Sequence, residues 1–463
     1  MCVYPYRREL SQWAFCPPLG LEFIAAAIKP FAQDVEVRDL RKEPRATRDF
    51  LRPETDLVCF SINWERDVEL IRAEIASTPP GLLTVVGGRH ATEDPERWLK
   101  VCPNVDIVVR GDGEEAMEEI CRGVPWEQIA GISFRRAGEL RHNPVRVLGP
   151  LRDDLYPDRR LRNYDYHVEL EGLSTGLLFD TVAASRGCPF HCKFCSFNRN
   201  PWGTRRPWSA RSPESVVEEL ARVQAPFVAF TDDIFTHDPA RVEQICDLLL
   251  ARGIRKKYII NARLEIARHP ELLRKMERAG FMLLLLGIES AQDKTLRSIG
   301  KGFDTAKVRE YFQVLRRSRM ILLGYFIVGL IGETAEEMLE IAPFAKELGL
   351  DALNLTNLRA SPYSGLDELV AQNPDYHILP GGKIYSDRYS YPELRRIRRR
   401  ISRKFYTPAQ FARLGRKAAL HGALWHLPGL LWRLPGIAWC AARSSRKRQT
   451  RRRRHEAVVA DSP

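Results

Sequence analysis

TVAASRGCPFHCKFCSF, residues 181–197, sets Cys188, Cys192 and Cys195 in a C-x3-C-x2-C pattern directly after a short apolar run. Three thiolates on so short a loop have little room to diverge and can converge on one metal centre. A closed iron–sulfur cube takes four cysteines. Three leave one iron open, and an open coordination position is where a metal site binds a reactant rather than holding a fold together. A structural zinc site with His191 as fourth ligand is the alternative. It requires His191, adjacent to Cys192, to fold back onto the same ion, and no second C-x2-C pair accompanies it. The cluster reading is preferred.

Toward the C-terminus, strand and helix signals alternate from Thr181 to about Leu358. Strands are predicted at Phe227–Thr231, Tyr258–Ala262, Met282–Ile288, Ile321–Val328 and Ala352–Leu355. A helix is predicted over Ser212–Gln224, with Ser212 as N-cap and Pro213 in the first helical position. Repeated βα units close into a full or partial parallel barrel, with chemistry at the C-terminal strand ends. Polar residues fall at those ends: Asp232 and Asp233 after VAFT, Arg263 after YIINA, Glu289 at the close of MLLLLGIE, and Glu333 after Gly329 in VGLIGE. Arginine suits bidentate carboxylate recognition, and a buried glutamate is costly without partners. Each alone reads equally well as a capped or paired loop polar. Their shared register with the cysteine loop marks one site.

Toward the N-terminus, residues 1–140 show the alternation of a doubly wound parallel sheet. Val35–Leu40, Leu57–Ser61, Leu82–Val86 and Val105–Val109 are the candidate strands after a clipped first strand at Cys2–Tyr4, and Leu19–Phe31 and Glu65–Ile75 read as helices. Ligands of such sheets bind at the carboxyl ends of the strands. Those ends carry Pro17-Pro18-Leu19-Gly20, Ser61-Ile62-Asn63, Gly87-Gly88-Arg89-His90 and Arg110-Gly111-Asp112-Gly113-Glu114. Glycines there admit close backbone approach to a ligand. No G-x-G-x-x-G opens a helix after the first strand, so a dinucleotide site is not indicated.

The cysteine loop, with aromatic Phe194 before its last cysteine, resembles the signature of the radical S-adenosylmethionine (SAM) superfamily. The N-terminal loops resemble those of the cobalamin-binding domain that precedes the radical SAM domain in one large enzyme class. The resemblance spans residues 1 to 370, most specifically 181 to 333. It implies a Rossmann-like cobalamin domain (1–140), a linker (141–178), a partial TIM-type radical SAM core (179–370) and a basic helical C-terminal region (371–463). The implied cofactors are a 4Fe–4S cluster on Cys188, Cys192 and Cys195, SAM and cobalamin. The implied SAM contacts are Phe194, Asp232, Arg263, Glu289 and Gly329. The implied cobalamin contacts are Leu19, Gly20, Ser61, Gly87, Gly88, His90, Gly111 and Gly113. Two departures stand out: Asn63 replaces the usual leucine two residues after the serine, and no D-x-H-x-x-G supplies a histidine for cobalt. The implied chemistry is reductive SAM cleavage to a 5′-deoxyadenosyl radical, hydrogen abstraction from an unactivated carbon, and methyl transfer through cobalamin. Ring formation or rearrangement without methyl transfer is the nearer rival, and a non-catalytic metal protein with an RNA- or membrane-binding tail the distant one. The implied partners are a small-molecule or lipid-like substrate and an electron donor such as flavodoxin or ferredoxin.

Charge is unevenly distributed. The chain of 463 residues carries +13 overall, but residues 395–463 hold 19 Lys/Arg against Glu456 and Asp461, a local +17 that leaves the first 394 at −4. An anionic partner is therefore expected of the tail. Arg395–Lys404 reads as a solvated helical face. Ala418–Ala442 is apolar, with Trp425, Trp432 and Trp439 every seven residues, and SSRKRQTRRRR follows. Arg433, Pro428 and Pro435 disfavour a spanning helix. An interfacial anchor and a helical pair packed on the barrel suit it equally. Nucleic acid is disfavoured, since no RNA-binding motif accompanies the arginines. Outside the loop, Cys2, Cys16, Cys59, Cys102, Cys121, Cys246 and Cys440 are scattered singly, as reduced thiols are. MCVYPYRREL has no signal-peptide core. A cytoplasmic location follows as the expectation, peripheral at a membrane surface if the tail anchors.

Overall fold

Two seven-stranded sheets organise the chain. The computed structural model describes residues 1–7, 16–43, 45–65, 67–170, 173–196, 206–360, 364–379 and 381–422. The first sheet holds β1 (Cys2–Tyr4), β2 (Val37–Asp39), β3 (Leu57–Ser61), β4 (Leu83–Gly87), β5 (Ile107–Val109), β6 (Ile132–Arg136) and β7 (Glu139–His142), in the order β2-β1-β3-β4-β5-β6-β7. Its first five strands are parallel. They are short continuous apolar runs because helices cover both faces. Those helices are α1 (Leu19–Ile28), α2 (Val68–Ala76), α3 (Arg89–Glu93), α4 (Pro95–Val101) and α5 (Glu114–Cys121). The first ends earlier than predicted: Lys29–Phe31 tightens into a 3-10 turn at Pro30, which has no amide proton for an α-helical bond. The antiparallel pair β6–β7 extends the sheet past residue 140. Its turn places Ala137 at φ 50° and Gly138 at φ 85°, the left-handed pair a two-residue hairpin requires.

The second sheet runs β16-β15-β14-β13-β12-β9-β8. It comprises β8 (His167–Leu170), β9 (Leu173–Val182), β12 (Phe227–Phe230), β13 (Lys257–Ala262), β14 (Phe281–Glu289), β15 (Ile321–Val328) and β16 (Ala352–Asn357). A two-residue pair, β10 (Ser185–Arg186) with β11 (Ser209–Ala210), brackets the cysteine loop. Strands β9 and β12 to β16 are parallel, and β8 pairs antiparallel at one edge. The two edge strands do not meet, so the sheet is a half-barrel. Helices α6 (Pro213–Arg222), α7 (Pro239–Ala251), α8 (Pro270–Ala279), α9 (Asp293–Ser298), α10 (Thr305–Leu315), α11 (Ala335–Leu339) and α12 (Ile341–Leu348) connect its strands. The α6 cap is as predicted: Ser212 Oγ accepts the Ser215 amide at 3.2 Å, with Pro213 in the first turn.

Residues 358–422 add α13 (Leu366–Ala371), the hairpin β17 (Tyr376–Leu379)–β18 (Lys383–Ser386), α14 (Tyr391–Phe405) and α15 (Pro408–Leu420). Sequence alone read Arg395–Lys404 as a solvated helical face outside the barrel, and the structure corrects this. Leu394, Ile397, Ile401 and Phe405 are buried in the barrel's own core, a narrow apolar stripe at helical spacing. The Trp-rich and Arg-rich stretch beyond Gly422 lies outside the described residues. Among the described residues no helix is long and apolar enough to cross a membrane.

The segment read as a surface linker is tied down at both ends. Part of it is the β8–β9 hairpin. Arg162 donates to Glu22 of α1 at 2.9 Å and to Asp180 of β9 at 2.5 Å. Arg159 donates to Asp180 at 3.0 Å and to Glu219 of α6 at 2.8 Å. Tyr166 Oη donates to Asp39 of β2 at 2.8 Å. Glu22, Asp180 and Glu219 are all buried. Burial raises the Glu22 carboxyl pKa, with Arg162 opposing.

Candidate active site

The carboxyl ends of the two sheets face each other across one cavity of about 520 Å³. From the N-terminal domain it is lined by Leu19, Gly20, Ser61, Gly87, Gly88, Gly111 and Gly113, seven of the eight residues expected there. Ala183, Ser185, Arg186, Thr231 and Asp233 line it from the half-barrel. Gly88 can be no other residue in this backbone: its φ is 97°, and a Cβ would lie 2.7 Å from both Ile62 O and Asn63 Oδ1. Asn63, the departure from the family leucine, accepts the Arg89 amide at 3.1 Å and donates to Ser61 Oγ at 3.1 Å. It ties the ends of β3 and β4 into one rim. Arg186 crosses between the domains, to Glu114 at 2.6 Å and Asp112 at 3.3 Å, and Arg206 also pairs with Asp112.

His90 is the exception. It is buried on α3 with its ring edge against Trp98, centroids 5.9 Å apart, and Nδ1 3.6 Å from Glu93. The helical turn that starts at Arg89 points Arg89 at the cavity and His90 into the core. No histidine lines the cavity among the described residues. A cleft edged by glycine backbone and apolar side chains such as Leu19, Phe60 and Val109 fits a flat corrin ring.

The cysteine loop is suspended from the end of β12. Asp232 is fully buried: Oδ2 accepts the Ala184 amide at 2.9 Å and Oδ1 accepts Ser185 Oγ. Burial pushes its pKa up to about 6. One oxygen thus holds the Ala184 amide and the other the Ser185 hydroxyl, so both anchor the segment leading to the cysteines, and Asp232 does not line the cavity. Asp233, one residue on, faces the cavity and accepts the Gly187 amide at 3.0 Å. Gly187 itself has φ 85°, and a Cβ there would lie 2.6 Å from Pro207 O. Cys188, Cys192 and Cys195 are half-buried, and burial pushes the Cys188 thiol up; a metal ligand must therefore displace its proton. Among the described residues no three His, Cys, Asp or Glu side chains group around one ion position.

Arg263 is also redirected. Its guanidinium makes a fork to Glu265, the shortest arm 2.8 Å, donates to Lys301 O at 3.2 Å and stacks on Phe190 at 3.6 Å. It braces the cysteine loop rather than offering a free fork. Gly329, at φ 85°, lets α14 approach: a Cβ would lie 3.0 Å from Leu394. Glu333 accepts from Ser290 Oγ at 2.6 Å, and burial pushes its carboxyl up to about 7. Glu289 stands at a β-bulge with φ 77°, a strained conformation for a non-glycine residue, and its Oε1 accepts from Lys301 Nζ at 2.9 Å.

Lys301 was not singled out by its sequence, yet it joins the expected SAM residues. Its ammonium meets Glu289 and lies 5.7 Å from the Phe194 ring, and its carbonyl takes Arg263. The signal was present in the flanking Gly300 and Gly302, at φ 67° and 83°, which let a buried cation turn inward. Next to it, Ile299 O accepts the Lys193 amide at 3.0 Å, pinning the cysteine loop. Lys301→Met is expected to leave Glu289 buried without its partner, at a cost of about 3 kcal/mol in unfolding free energy, and to weaken SAM binding about tenfold. Lys301→Met/Glu289→Gln should recover the stability without the affinity. Denaturant titration and SAM titration of the reduced cluster's paramagnetic resonance signal separate the two; an unaltered signal titration in Lys301→Met would remove Lys301 from the site.

Comparison with known proteins matches both halves. The family model for the radical SAM superfamily covers residues 182–345, and that for the B12 binding domain covers 14–121. An uncharacterised methyltransferase of Pyrococcus horikoshii is 29% identical over 75% of this chain and 77% of its own. The anaerobic magnesium-protoporphyrin IX monomethyl ester cyclase of Cereibacter sphaeroides is 28% identical over 62% of this chain, which spans about half (48%) of that relative. The solved structure of the radical SAM methyltransferase TsrM from Kitasatospora setae, with cobalamin and a [4Fe-4S] cluster bound, superposes at a TM-score of 0.65, with 16% identity, over 82% of this chain and 76% of that one. Its likeness is of fold. Cysteine loop, half-barrel and glycine-rimmed cleft thus coincide with the two matched families, and the chain belongs to the radical SAM superfamily, as an enzyme with a B12-binding domain whose cofactors are a 4Fe–4S cluster, SAM and cobalamin.

Proposed function

We propose that this enzyme methylates an unactivated carbon of a small-molecule substrate. The observation that carries the reading is the shared cavity: the glycine rim of the B12-binding domain and the loop next to Cys188 open on the same space, through Gly88 on one side and Asp233 on the other. The cofactors supply radical formation and a transferable methyl group when bound, and the protein supplies binding, alignment and exclusion of water. Cys188, Cys192 and Cys195 hold the cluster. Glu289, fixed by Lys301, offers its carboxylate to the ribose hydroxyls of SAM, and Phe194 packs beside it. Asp232 and Arg263 set the loop's position from behind. Ser61, Gly87 and Gly88 line the slot for the cobalamin nucleotide tail. A one-electron donor such as flavodoxin or ferredoxin completes the system, and an oxygen-sensitive cluster suits a reducing cytoplasm.

The methyltransferase relative supports this reading; the cyclase relative supports ring chemistry without methyl transfer as the second. Product mass separates them. Anaerobically purified protein loaded with iron, sulfide and cobalamin, given a one-electron reductant, SAM labelled in its methyl group and a candidate substrate, is expected to yield a product heavier by one labelled CH2 unit. A product that gains no labelled carbon while SAM is consumed would overturn methylation and leave ring chemistry.

A further inference from the structure

At the end of the half-barrel opposite the cavity, successive αβ junctions present cations. Arg255 precedes β13, Arg278 lies in the last turn of α8 before β14, and Arg316, Arg317 and Arg319 fill the connection from α10 to β15. Arg416 belongs to α15. All six are exposed, and none is in an ion pair among the described residues. They form one face because α15 is laid across these strand starts. Lys417 Nζ donates to Met320 O at 2.7 Å, Gln410 Nε2 donates to Asp351 O at 3.2 Å, and His421 Nε2 lies 3.0 Å from Arg319 O. A groove lined by Arg255, Lys257, Arg278 and His421 runs along it. The nearby carboxylates are already engaged: Glu277 accepts from Ser318 and the Arg319 amide, Asp351 from Arg413 and Lys417, and Glu218 from Arg222 and Arg252.

Basic residues at helix C-termini complement the helix dipole, which accounts for one cation per junction. It does not account for three at Arg316, Arg317 and Arg319, nor for the apolar side chains among them. Leu250 is 41%, Phe411 59% and Leu420 62% exposed on the same face. The chain leaves the described structure from this face too, at Gly422. It continues as ALWHLPGLLWRLPGIAW followed by an arginine run. Exposed large apolar groups set among unpaired cations match the headgroup boundary of an anionic bilayer, where apolar side chains enter the acyl edge and basic ones meet lipid phosphates. A duplex or a purely acidic protein surface would match the charge and leave the leucines and phenylalanine in water.

We propose that this basal face docks the enzyme on an anionic membrane, with the active-site cavity on the opposite side facing away from the bilayer. Docking is then a matter of location and independent of the reaction. The test uses the full-length, cofactor-loaded protein and two kinds of vesicle: phosphatidylcholine alone, and phosphatidylcholine with about a quarter phosphatidylglycerol. Flotation with the anionic vesicles is expected, falling off at high salt. Arg255→Gln/Arg278→Gln/Arg316→Gln/Arg319→Gln, with residues 423–463 intact, should partition at least about tenfold less, because each basic residue near the surface adds measurably to binding. Phe411→Ser/Leu420→Ser should weaken partition at high salt, where charge is screened. Iron content and SAM cleavage in solution should be unchanged in both, which shows intact fold and site. Undiminished flotation of the fourfold variant would overturn the proposal and leave any binding to the tail. Equal flotation with phosphatidylcholine, or retention of RNA in place of vesicles, would overturn it as well.

Discussion

Cys192→Ala protein, purified anaerobically, is expected to lack the brown absorbance of an iron–sulfur cluster. Its iron should fall from about four per chain to near none, and 5′-deoxyadenosine formation should vanish with it. The three thiols of the loop are the whole cysteine supply of that end of the half-barrel among the described residues, since Cys246 is buried in the helical layer. A cube left with two thiolates has lost the chelation that a short loop provides. Folding should survive, because what shapes the loop is backbone: the Cys195 amide donates to Cys192 O at 3.1 Å, Lys193 to Ile299 O, and Gly187 to Asp233. Alanine keeps every one of these bonds. Cobalt content should also persist, since the glycine rim belongs to the other sheet. Iron retained at the wild-type level, with SAM still cleaved, would sink the assignment of the loop.

The converse experiment is Gly88→Val. Iron should stay at about four per chain while cobalamin binding falls at least about a hundredfold. Two costs combine. Valine at a φ of 97° is held in a region that costs of order 1–3 kcal/mol for a side-chain-bearing residue. Its Cβ would also sit 2.7 Å from Ile62 O, which is backbone, and from Asn63 Oδ1, whose amide group is pinned by the Arg89 amide and Ser61 Oγ. The backbone of β3 and β4 must shift, and with it Ser61, Gly87 and Arg89, which together edge the cleft. Spectrophotometric titration with hydroxocobalamin and iron analysis on the same sample read both halves. Cobalamin bound as tightly as in the wild type would show that the cleft lies elsewhere.

The half-barrel strands and the cysteine loop were legible because each is encoded locally. Ile321–Val328 is a run of apolar residues between a Ser-Arg turn and a glycine, and the structure returns those bounds. Contacts between elements far apart in sequence were not legible. Asp232 and Asp233 are chemically identical neighbours, and only the path of the loop after β12 decides that one turns back to Ala184 while the other faces the cavity. Arg89 and His90 exchange roles in the same way at a helix start. Arg263 carries the right chemistry for a carboxylate, but Glu265, two residues on, takes its fork. In α14 four apolar residues anchor a helix to the barrel, yet seven cations between them mask the stripe by composition. The β6–β7 hairpin rests on a single Ala-Gly turn, too brief a signal to place a domain boundary.

The charged braid through Glu22, Arg162, Asp180, Arg159 and Glu219 has a consequence for assembly order. The three carboxylates are buried and the two arginines largely so, and separating them would strand the carboxylates in low dielectric, each at a cost of several kcal/mol. Once the domains have closed on one another, the cleft cannot readily be reopened by hinging. A cofactor as broad as a corrin is then expected to enter the folded protein past the loops at the rim of the cleft, without the two domains swinging apart.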